Sequence, residues 1–286
     1  MLPVTVLVLT RNEEPNLPHC LRSVVGWATA VFVLDSGSTD RTVELAEAAG
    51  ATVFYRDFDN YAAQRNYAVQ ALPIRTEWVL FLDADEYIDQ ALQQEIGQVM
   101  AHPNSHAGYF IAFKFIFMNR WIRRGGYYPT YILRLFKRAA VRQIDRLMDE
   151  QITVNGSVGY LQTPFIHHDR KPLLFWYEKH VRYVPYQLAD LTKKEQRPPL
   201  RWADATSQRE RKRWVKEQVW VRIPPLLRPF LYFAYRYVLL LGFLDGRAGF
   251  IYHVSHAFLY QFMIAAVYLD PQKQSPVPVA QPQWTP

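Results

Sequence analysis

The sequence predicts an α/β fold: a doubly wound, mostly parallel sheet with helices on both faces, followed by a C-terminal helical region that associates with a membrane. Three observations carry that expectation. Short β-branched or apolar runs alternate with stretches of helical spacing along residues 1–85. Half of the 286 residues are hydrophobic and 21% are charged, which favours a sizeable core over disorder. Beyond residue 197, basic and aromatic residues mingle ahead of two apolar tracts.

Val4–Leu9 is a valine-rich apolar run and reads as a buried strand. Pro15 and Pro18 stand where a helix begins, and Leu17, Leu21, Val24 and Val25 recur at helical spacing. Ala30–Leu34 is a second strand, ending at Asp35. Ser38-Thr39-Asp40 supplies capping residues for a helix over Thr42–Ala49, which Gly50 stops. Ala51–Tyr55 is a third strand, Tyr61–Ala71 a helix, and Trp78–Leu82 a fourth strand ending at Asp83. Past residue 100, Tyr109–Phe117 is aromatic and apolar, Arg120–Tyr131 is basic around Gly125-Gly126, and Tyr131–Phe136 reads as a strand.

The net charge of +7 is unevenly spread. Residues 1–113 hold 6 Lys/Arg against 14 Asp/Glu, residues 114–146 hold 9 against 1, and residues 197–236 hold 10 against 3. A nucleic-acid binder carries its basic surface on the folded domain. Here the N-terminal part is acidic and the positive charge lies among Trp, Tyr and Phe, a mix suited to an anionic membrane surface. No nucleic-acid partner is expected. Cys20 is the single cysteine, which excludes an internal disulfide framework and a cysteine-rich zinc site. Met1–Thr10 runs straight into a strand pattern, and no leader is read there.

In open α/β sheets ligands bind at the carboxyl ends of the strands. Three strands deliver polar clusters there: Thr10-Arg11-Asn12-Glu13, Asp35-Ser36-Gly37-Ser38 and Asp83-Ala84-Asp85. Any one of these is an ordinary solvated loop; three on one edge make a site. Two carboxylates one residue apart after a buried strand can share a hard divalent cation, Mg²⁺ or Mn²⁺, which would bridge the phosphates of a nucleoside diphosphate. Spacing alone decides nothing, since Asp57-Phe58-Asp59 repeats it; Asp57 and Asp59 are read as loop or capping residues.

The ordered set Thr-Arg-Asn-Glu, Asp-Ser-Gly-Ser-Thr-Asp, Gln64-Arg65-Asn66 and Asp-Ala-Asp resembles the family 2 glycosyltransferases of GT-A fold over about residues 3–170. The resemblance implies a nucleotide-sugar donor and a nucleotide site made of Thr10, Asn12, Glu13, Asp35, Ser36, Arg65 and Asp83. Within it Thr10 and Glu13 line the nucleoside, Asp35 contacts the base, and Arg65 lies near the donor. It also implies a metal site at Asp85, with Asp83 beside it; His167 and His168 end an expected strand, and one of them, taken as His168, is expected to reach the metal or the diphosphate. Tyr131-Ile-Leu-Arg-Leu-Phe-Lys-Arg138, Asp149-Glu150-Gln-Ile-Thr-Val-Asn-Gly156 and His167-His168 look like the bacterial lipopolysaccharide core β-glucosyltransferases. In that pattern a His-Glu pair stands where this chain has Asp149-Glu150. Gln-x-x-Arg-Trp, the mark of processive members, is absent.

The chemistry then expected is inverting transfer of one sugar, glucose from UDP, to a lipid-linked or lipopolysaccharide-type glycan. Glu150 is the general base with Asp149 beside it, and Arg134 and Arg138 hold phosphate on donor or acceptor. The expected organisation is a catalytic domain over 1–196, divided into nucleotide-sugar binding (1–113) and acceptor side (114–196). A membrane-interface region (197–270) and a disordered tail (271–286) follow. A sugar nucleotidyltransferase would carry a glycine-rich loop where Arg11-Asn12-Glu13 stands, and neither a dinucleotide nor a P-loop fingerprint occurs. A catalytically silent scaffold fits poorly with Asp83, Asp85 and Glu150 all present.

Two apolar tracts, Pro229–Leu244 and Ala248–Leu269, flank Asp245-Gly246-Arg247. The first is shorter than the ~20 residues a span needs, and the second carries His253, Ser255, His256 and Gln261. Arg211, Lys212, Arg213, Lys216, Arg222 and Arg228 precede them, interleaved with Trp202, Trp214 and Trp220. The expectation is a helical hairpin at headgroup depth on the cytoplasmic face of the inner membrane, peripheral or monotopic. The competing expectation is a pair of core helices forming a homo-oligomer interface.

Overall fold

The computed structural model describes residues 1–102, 105–142, 152–195 and 222–270. Asp149, Glu150, the basic stretch 197–220 with Trp202, Trp214 and Trp220, and the tail 271–286 lie outside the described residues. The chain divides into two compact units, one of Met1–Arg123 and Tyr127–Lys171, the other of Arg124–Gly126 and the described residues from Pro172 onward. The division falls at Lys171–Pro172, ahead of the boundary read at residue 196.

The first unit is built on a mixed sheet. Strands β1 (Leu2–Thr10), β2 (Ala28–Asp35), β3 (Thr52–Tyr55) and β4 (Trp78–Asp83) alternate with helices α1 (Leu17–Arg22), α2 (Thr42–Ala48) and α3 (Tyr61–Gln70). After β4 come β5 (Glu86–Tyr87), α4 (Gln90–Ala101), β6 (Gly108–Phe117), β7 (Arg120–Trp121), β8 (Tyr131–Lys137), β9 (Val158–Tyr160) and β10 (Phe165–His167). The strand order is β3-β2-β1-β4-β8-β6-β10-β5, with β7 and β9 also paired to β6. β1 pairs parallel with β2 and β4, and β2 with β3, while β8 runs antiparallel between β4 and β6.

β1 and β4 are buried on both faces, as valine- and leucine-rich runs of a covered parallel sheet must be. Val4, Val6 and Val8 pack with Leu17, Cys20, Leu21, Leu92 and Ile96 on one side of the sheet. Leu7, Val79 and Phe81 pack with Ala62, Ala68, Val69 and Phe136 on the other. Cys20 is fully buried, and burial above all raises its thiol pKa, with Glu86 and Asp85 adding to it.

Arg138, expected at a phosphate, lies elsewhere. β8 runs antiparallel to β4 with Lys137 opposite Trp78, so Arg138 follows at the start of β4, a strand length from Asp83. Its Nε donates to the Val69 carbonyl (3.1 Å) and its Nη1 to the Ile74 carbonyl (2.8 Å), which satisfies acceptors at and beyond the C-terminus of α3.

In the second unit α5 (Leu173–Glu195) packs Val184 against Tyr260 and Ile264. A helix over Arg228–Ala234 continues as a π-helical turn, Tyr235–Leu239, and breaks at Leu241, whose φ is 58°. A 3₁₀ turn, Gly242–Asp245, leads into a helix from Gly246 to Leu269 with a π-helical segment at His253–Leu259. The break opens at Leu241, ahead of the separator read from sequence, and closes within it at Gly246 (φ 67°), where the next helix starts. Gly125 and Gly242 flank the buried His253, and a Cβ at either would collide with its ring. Arg236 donates from Nε to the Gly125 carbonyl (2.6 Å) and from Nη1 to the Tyr232 hydroxyl (2.6 Å). Asp245 accepts from the Arg124 amide (2.8 Å).

The stretch Gly242–Leu269 (28 residues) is long and apolar enough to cross a membrane. It buries Asp245, His253 and Ser255, while Phe250, Leu259, Phe262, Val267 and Leu269 stay exposed. Leu227, Phe230, Leu231, Val238 and Leu239 repeat that exposure at helical spacing on the preceding segment.

Arg138→Ala tests the placement of this side chain. It should lower unfolding free energy by about 1–3 kcal/mol, the range for hydrogen bonds from a charged donor, in urea denaturation. Nucleotide affinity should not change; a large loss of affinity at unchanged stability would return Arg138 to the ligand.

Candidate active site

Parallel register brings the polar strand ends together. Thr10 is opposite Asp35, and Leu9 is opposite Asp83. Asp35 is only 1% exposed and its carboxylate shapes its own loop. Oδ2 accepts from the Gly37 and Ser38 amides (2.9 and 2.8 Å), and Oδ1 from the Thr10 and Ser38 hydroxyls (3.0 and 2.5 Å). Asn12 sits in left-handed backbone (φ 53°), which asparagine tolerates, and its Oδ1 accepts from the Thr39 amide at 2.8 Å. The Asn12 amide donates to Ser38 Oγ (2.9 Å), so the loops after β1 and β2 are cross-tied. Ser36 joins them to α3, where the buried Gln64 donates to its hydroxyl (3.1 Å). The expected base contact, Asp35, thus acts first as the organiser of this edge.

Asp83 is the hub of a second network. Arg65 Nη2 donates to Oδ1 (3.1 Å) and Arg134 Nη2 to Oδ2 (2.6 Å). Burial pushes the Asp83 carboxyl up, but the two guanidinium groups outweigh it and hold it well below the usual carboxylate range. Glu86, 1% exposed, accepts the same Arg134 Nη2 on Oε1 (2.5 Å) and the Asp83 amide on Oε2 (2.9 Å). Burial raises the Glu86 carboxyl, and Arg134 offsets part of that. Arg134 is 2% exposed, with its guanidinium over the Phe165 ring (5.5 Å). The expectation from sequence puts it at a phosphate; the structure sets it between two carboxylates in the interior.

Asp83 and Asp85, expected to share a cation, face different partners. Asp85 Oδ2 lies 3.4 Å from His167 Nε2, and this side chain keeps 15% exposure. His168 joins the same turn through its backbone, donating to the Asp85 carbonyl (2.8 Å). The imidazole turned to the Asp85 carboxylate is that of His167. Among the described residues no group of three or more His, Cys, Asp or Glu is arranged to hold a metal by itself. That donor set fits a hard ion such as Mg²⁺, which is commonly held by one or two carboxylates plus substrate phosphates.

Glu13 closes the site on its third side. Lys171 Nζ donates to its Oε1 (2.6 Å) and Asn16 Nδ2 to its Oε2 (2.8 Å). Burial raises the Glu13 carboxyl, Lys171 opposes the shift, and the charge of Asp85 adds to it. Asn16, itself buried, also donates to Asp169 (2.9 Å) and accepts from the Arg170 amide (2.7 Å). Glu86, Asn16, Asp169 and Lys171 are neighbours of these residues that the sequence patterns do not single out. Glu86, next to the Asp-x-Asp, carries the only local signal; the others meet across some 150 residues of chain.

The profile described as glycosyl transferase family 2 matches residues 5–159. An uncharacterized glycosyltransferase of Rickettsia bellii is 32% identical over 117 residues, covering 41% of this chain and 39% of that protein. A lipopolysaccharide core biosynthesis glycosyltransferase of Rhizobium meliloti is 29% identical over 180 residues, 59% of this chain and 64% of the relative. The matched region thus spans 39% and 64% of these relatives' lengths. The crystal structure of S. aureus TarS 1–349 superposes with a TM-score of 0.45 at 14% identity, covering 94% of this chain and 91% of that one. With its strand-end loops, its mostly parallel sheet and more than half of its length inside the matched region, the chain belongs to glycosyl transferase family 2.

Proposed function

We propose that this chain transfers a single glucose from a UDP-linked donor to a lipid-linked or lipopolysaccharide-type glycan, with inversion at the anomeric carbon. The observation that carries the reading is the convergence of Thr10, Asp35 and Asp83 on one sheet edge, beside Asp85, in a family 2 chain. The loops after β1 and β2, with Asn12 and Ser36, frame the nucleoside. Glu13 and Arg65 flank it. Asp85 would hold Mg²⁺ or Mn²⁺, which when bound offsets the charge building on the diphosphate as it departs. Glu150 takes the proton of the acceptor hydroxyl as that oxygen bonds to the anomeric carbon and the bond to the diphosphate oxygen breaks. Asp149 precedes it in sequence. The products are the extended glycan and the nucleoside diphosphate.

The second unit brings the enzyme to its lipid-bearing acceptor, from the cytoplasmic side, as a peripheral or monotopic protein. Phe230, Leu231, Val238, Leu239, Leu244 and Phe250 are each at least 43% exposed, an apolar surface of the kind that enters the acyl boundary. Arg222 and Arg228 precede them in sequence and Arg247 lies among them. Each basic residue near an anionic headgroup adds about 1 kcal/mol.

Three outcomes follow from this reading. Asp85→Ala should abolish transfer without unfolding the protein, since its carboxylate is on a turn, and EDTA should do the same until Mg²⁺ or Mn²⁺ is restored; full turnover in EDTA removes the metal from the mechanism. Glu150→Gln should slow transfer by about 10²–10⁴ while UDP still binds by calorimetry. If Asp149→Asn is dead and Glu150→Gln is not, the base is Asp149. The intact protein should float with anionic liposomes at low salt and remain partly bound at high salt through its apolar face. Quantitative recovery of unbound protein at low salt would assign those helices to an ordinary core or an oligomer interface.

A further inference from the structure

We propose that Lys114 and Arg123, gathered about the Trp121 ring, form a site for a phosphate group carried by the acceptor glycan. The inference rests on the glycan acceptor proposed above and names a chemical feature of it.

The basic run over residues 114–146 holds 9 Lys/Arg against 1 acid, and most of that charge is committed elsewhere. Arg134 lies between Asp83 and Glu86, Lys137 pairs with Glu77 (3.0 Å), Arg138 serves backbone carbonyls and Arg142 donates to Asn155. Lys114 and Arg123 differ. Among the described residues neither forms an ion pair or a side-chain hydrogen bond. Each instead sits over Trp121, Lys114 Nζ at 5.5 Å and the Arg123 guanidinium at 5.2 Å from the ring centroid. An aromatic face holds a cation but neutralises none of its charge. Two like charges thus meet at one ring with no acid among the described residues to balance them, which is the charge complement of a compact anion.

Sheet geometry builds the cluster. β6 turns into β7 through Met118 and Asn119, both left-handed (φ 50° and 58°), the two-residue turn that suits the twist of a hairpin. Ile116 lies opposite Trp121, so Lys114, two residues back, shares their face. Phe113 and Phe115 take the other face, against Phe165 and His167. The Ile122 amide extends the pairing by donating to the Phe115 carbonyl (2.9 Å), and the Ile122 side chain is fully buried, so Arg123 starts from an anchored point. Tyr128 stands edge-on to the indole (5.0 Å). The enclosed indole N–H also meets no acceptor among the described residues.

Register places the cluster relative to Asp85. Glu86 is opposite His167, and His167 is opposite Phe115, so the strand that carries Lys114 is two strand spacings, about 10 Å, from the Asp85 turn. A diphosphate bound to a cation at Asp85 would not fill both places, whereas a substituent on the acceptor could. An anionic membrane is the poorer fit. Trp121 is half-buried and clothed by two cations and Tyr128, rather than offered to an acyl boundary.

The test is isothermal calorimetry on the full chain with UDP present. The probe is deacylated lipopolysaccharide core oligosaccharide, with its phosphates or after their removal by hydrofluoric acid. The phosphorylated form should bind at least about 10-fold more tightly, the worth of one hydrogen bond to a charged group. Lys114→Gln with Arg123→Gln should erase that preference and leave affinity for UDP and for the dephosphorylated form unchanged. Arg120, opposite Phe117 and so on the other face of the hairpin, controls for net charge, and Arg120→Gln should keep the preference. Equal losses from Arg120→Gln and Arg123→Gln would reduce the cluster to a diffuse field and overturn the site. So would a wild type indifferent to the phosphates. A double variant that keeps the preference but loses UDP affinity, or flotation with anionic liposomes, would assign the cations to the donor or to lipid headgroups instead. If the double variant does not fold, Arg123→Gln alone decides, and it should lower the preference several-fold while Arg120→Gln does not. A wild type that binds neither oligosaccharide removes the acceptor proposed above and this inference with it, an outcome distinct from binding without preference.

Discussion

The arrangement at the end of β4 depends on one shared donor. Arg134 Nη2 reaches both Asp83 and Glu86, and Arg65 reaches the other oxygen of Asp83. Two acids and two guanidinium groups meet here, with Glu86 and Arg134 buried and Asp83 partly exposed. Removing one member would strand its partner's charge in the interior, a larger penalty than the net worth of the pair. Because the quartet is neutral by itself, Asp85 is left over as a negative charge beside it.

Much of this is legible in the sequence, and the reasons differ by element. The four strands and the helices between them announce themselves because each is a short covered run with capping or turn residues at its ends. The edge where they deliver Thr10, Asp35 and Asp83 follows from parallel topology alone. Arg134 and Arg138 look alike on paper, four residues apart on a basic strand. They differ because β8 is antiparallel to β4, which sends one to the carboxyl end of β4 and the other to its start. The His167–Glu86 pairing is hidden for a similar reason. No local pattern foretells which short strands will lie side by side.

The second unit shows where periodicity reads too coarsely. The sequence marks two apolar tracts and a polar separator; the backbone opens the break earlier, at Leu241 in left-handed conformation, and closes it in the separator at Gly246. The π-helical segments at Tyr235–Leu239 and His253–Leu259 shift the helical phase, so a face extrapolated at 3.6 residues per turn drifts off the true one. Polar residues that argue against a simple span, His253 and Ser255, are buried beside Ala257, Tyr260 and Ile264, while Phe250, Leu259 and Phe262 are left outside.

Cys20, on α1 beneath the same strand ends, has a consequence of its own. Its thiol is fully enclosed, and both burial and the acids nearby oppose the thiolate form through which cysteines oxidise or alkylate. As it is the one cysteine in the chain, the native protein is effectively silent to thiol reagents and to changes in redox poise. A cysteine introduced anywhere on its surface would be a unique chemical address, against which distances and depths could be measured without first engineering a background.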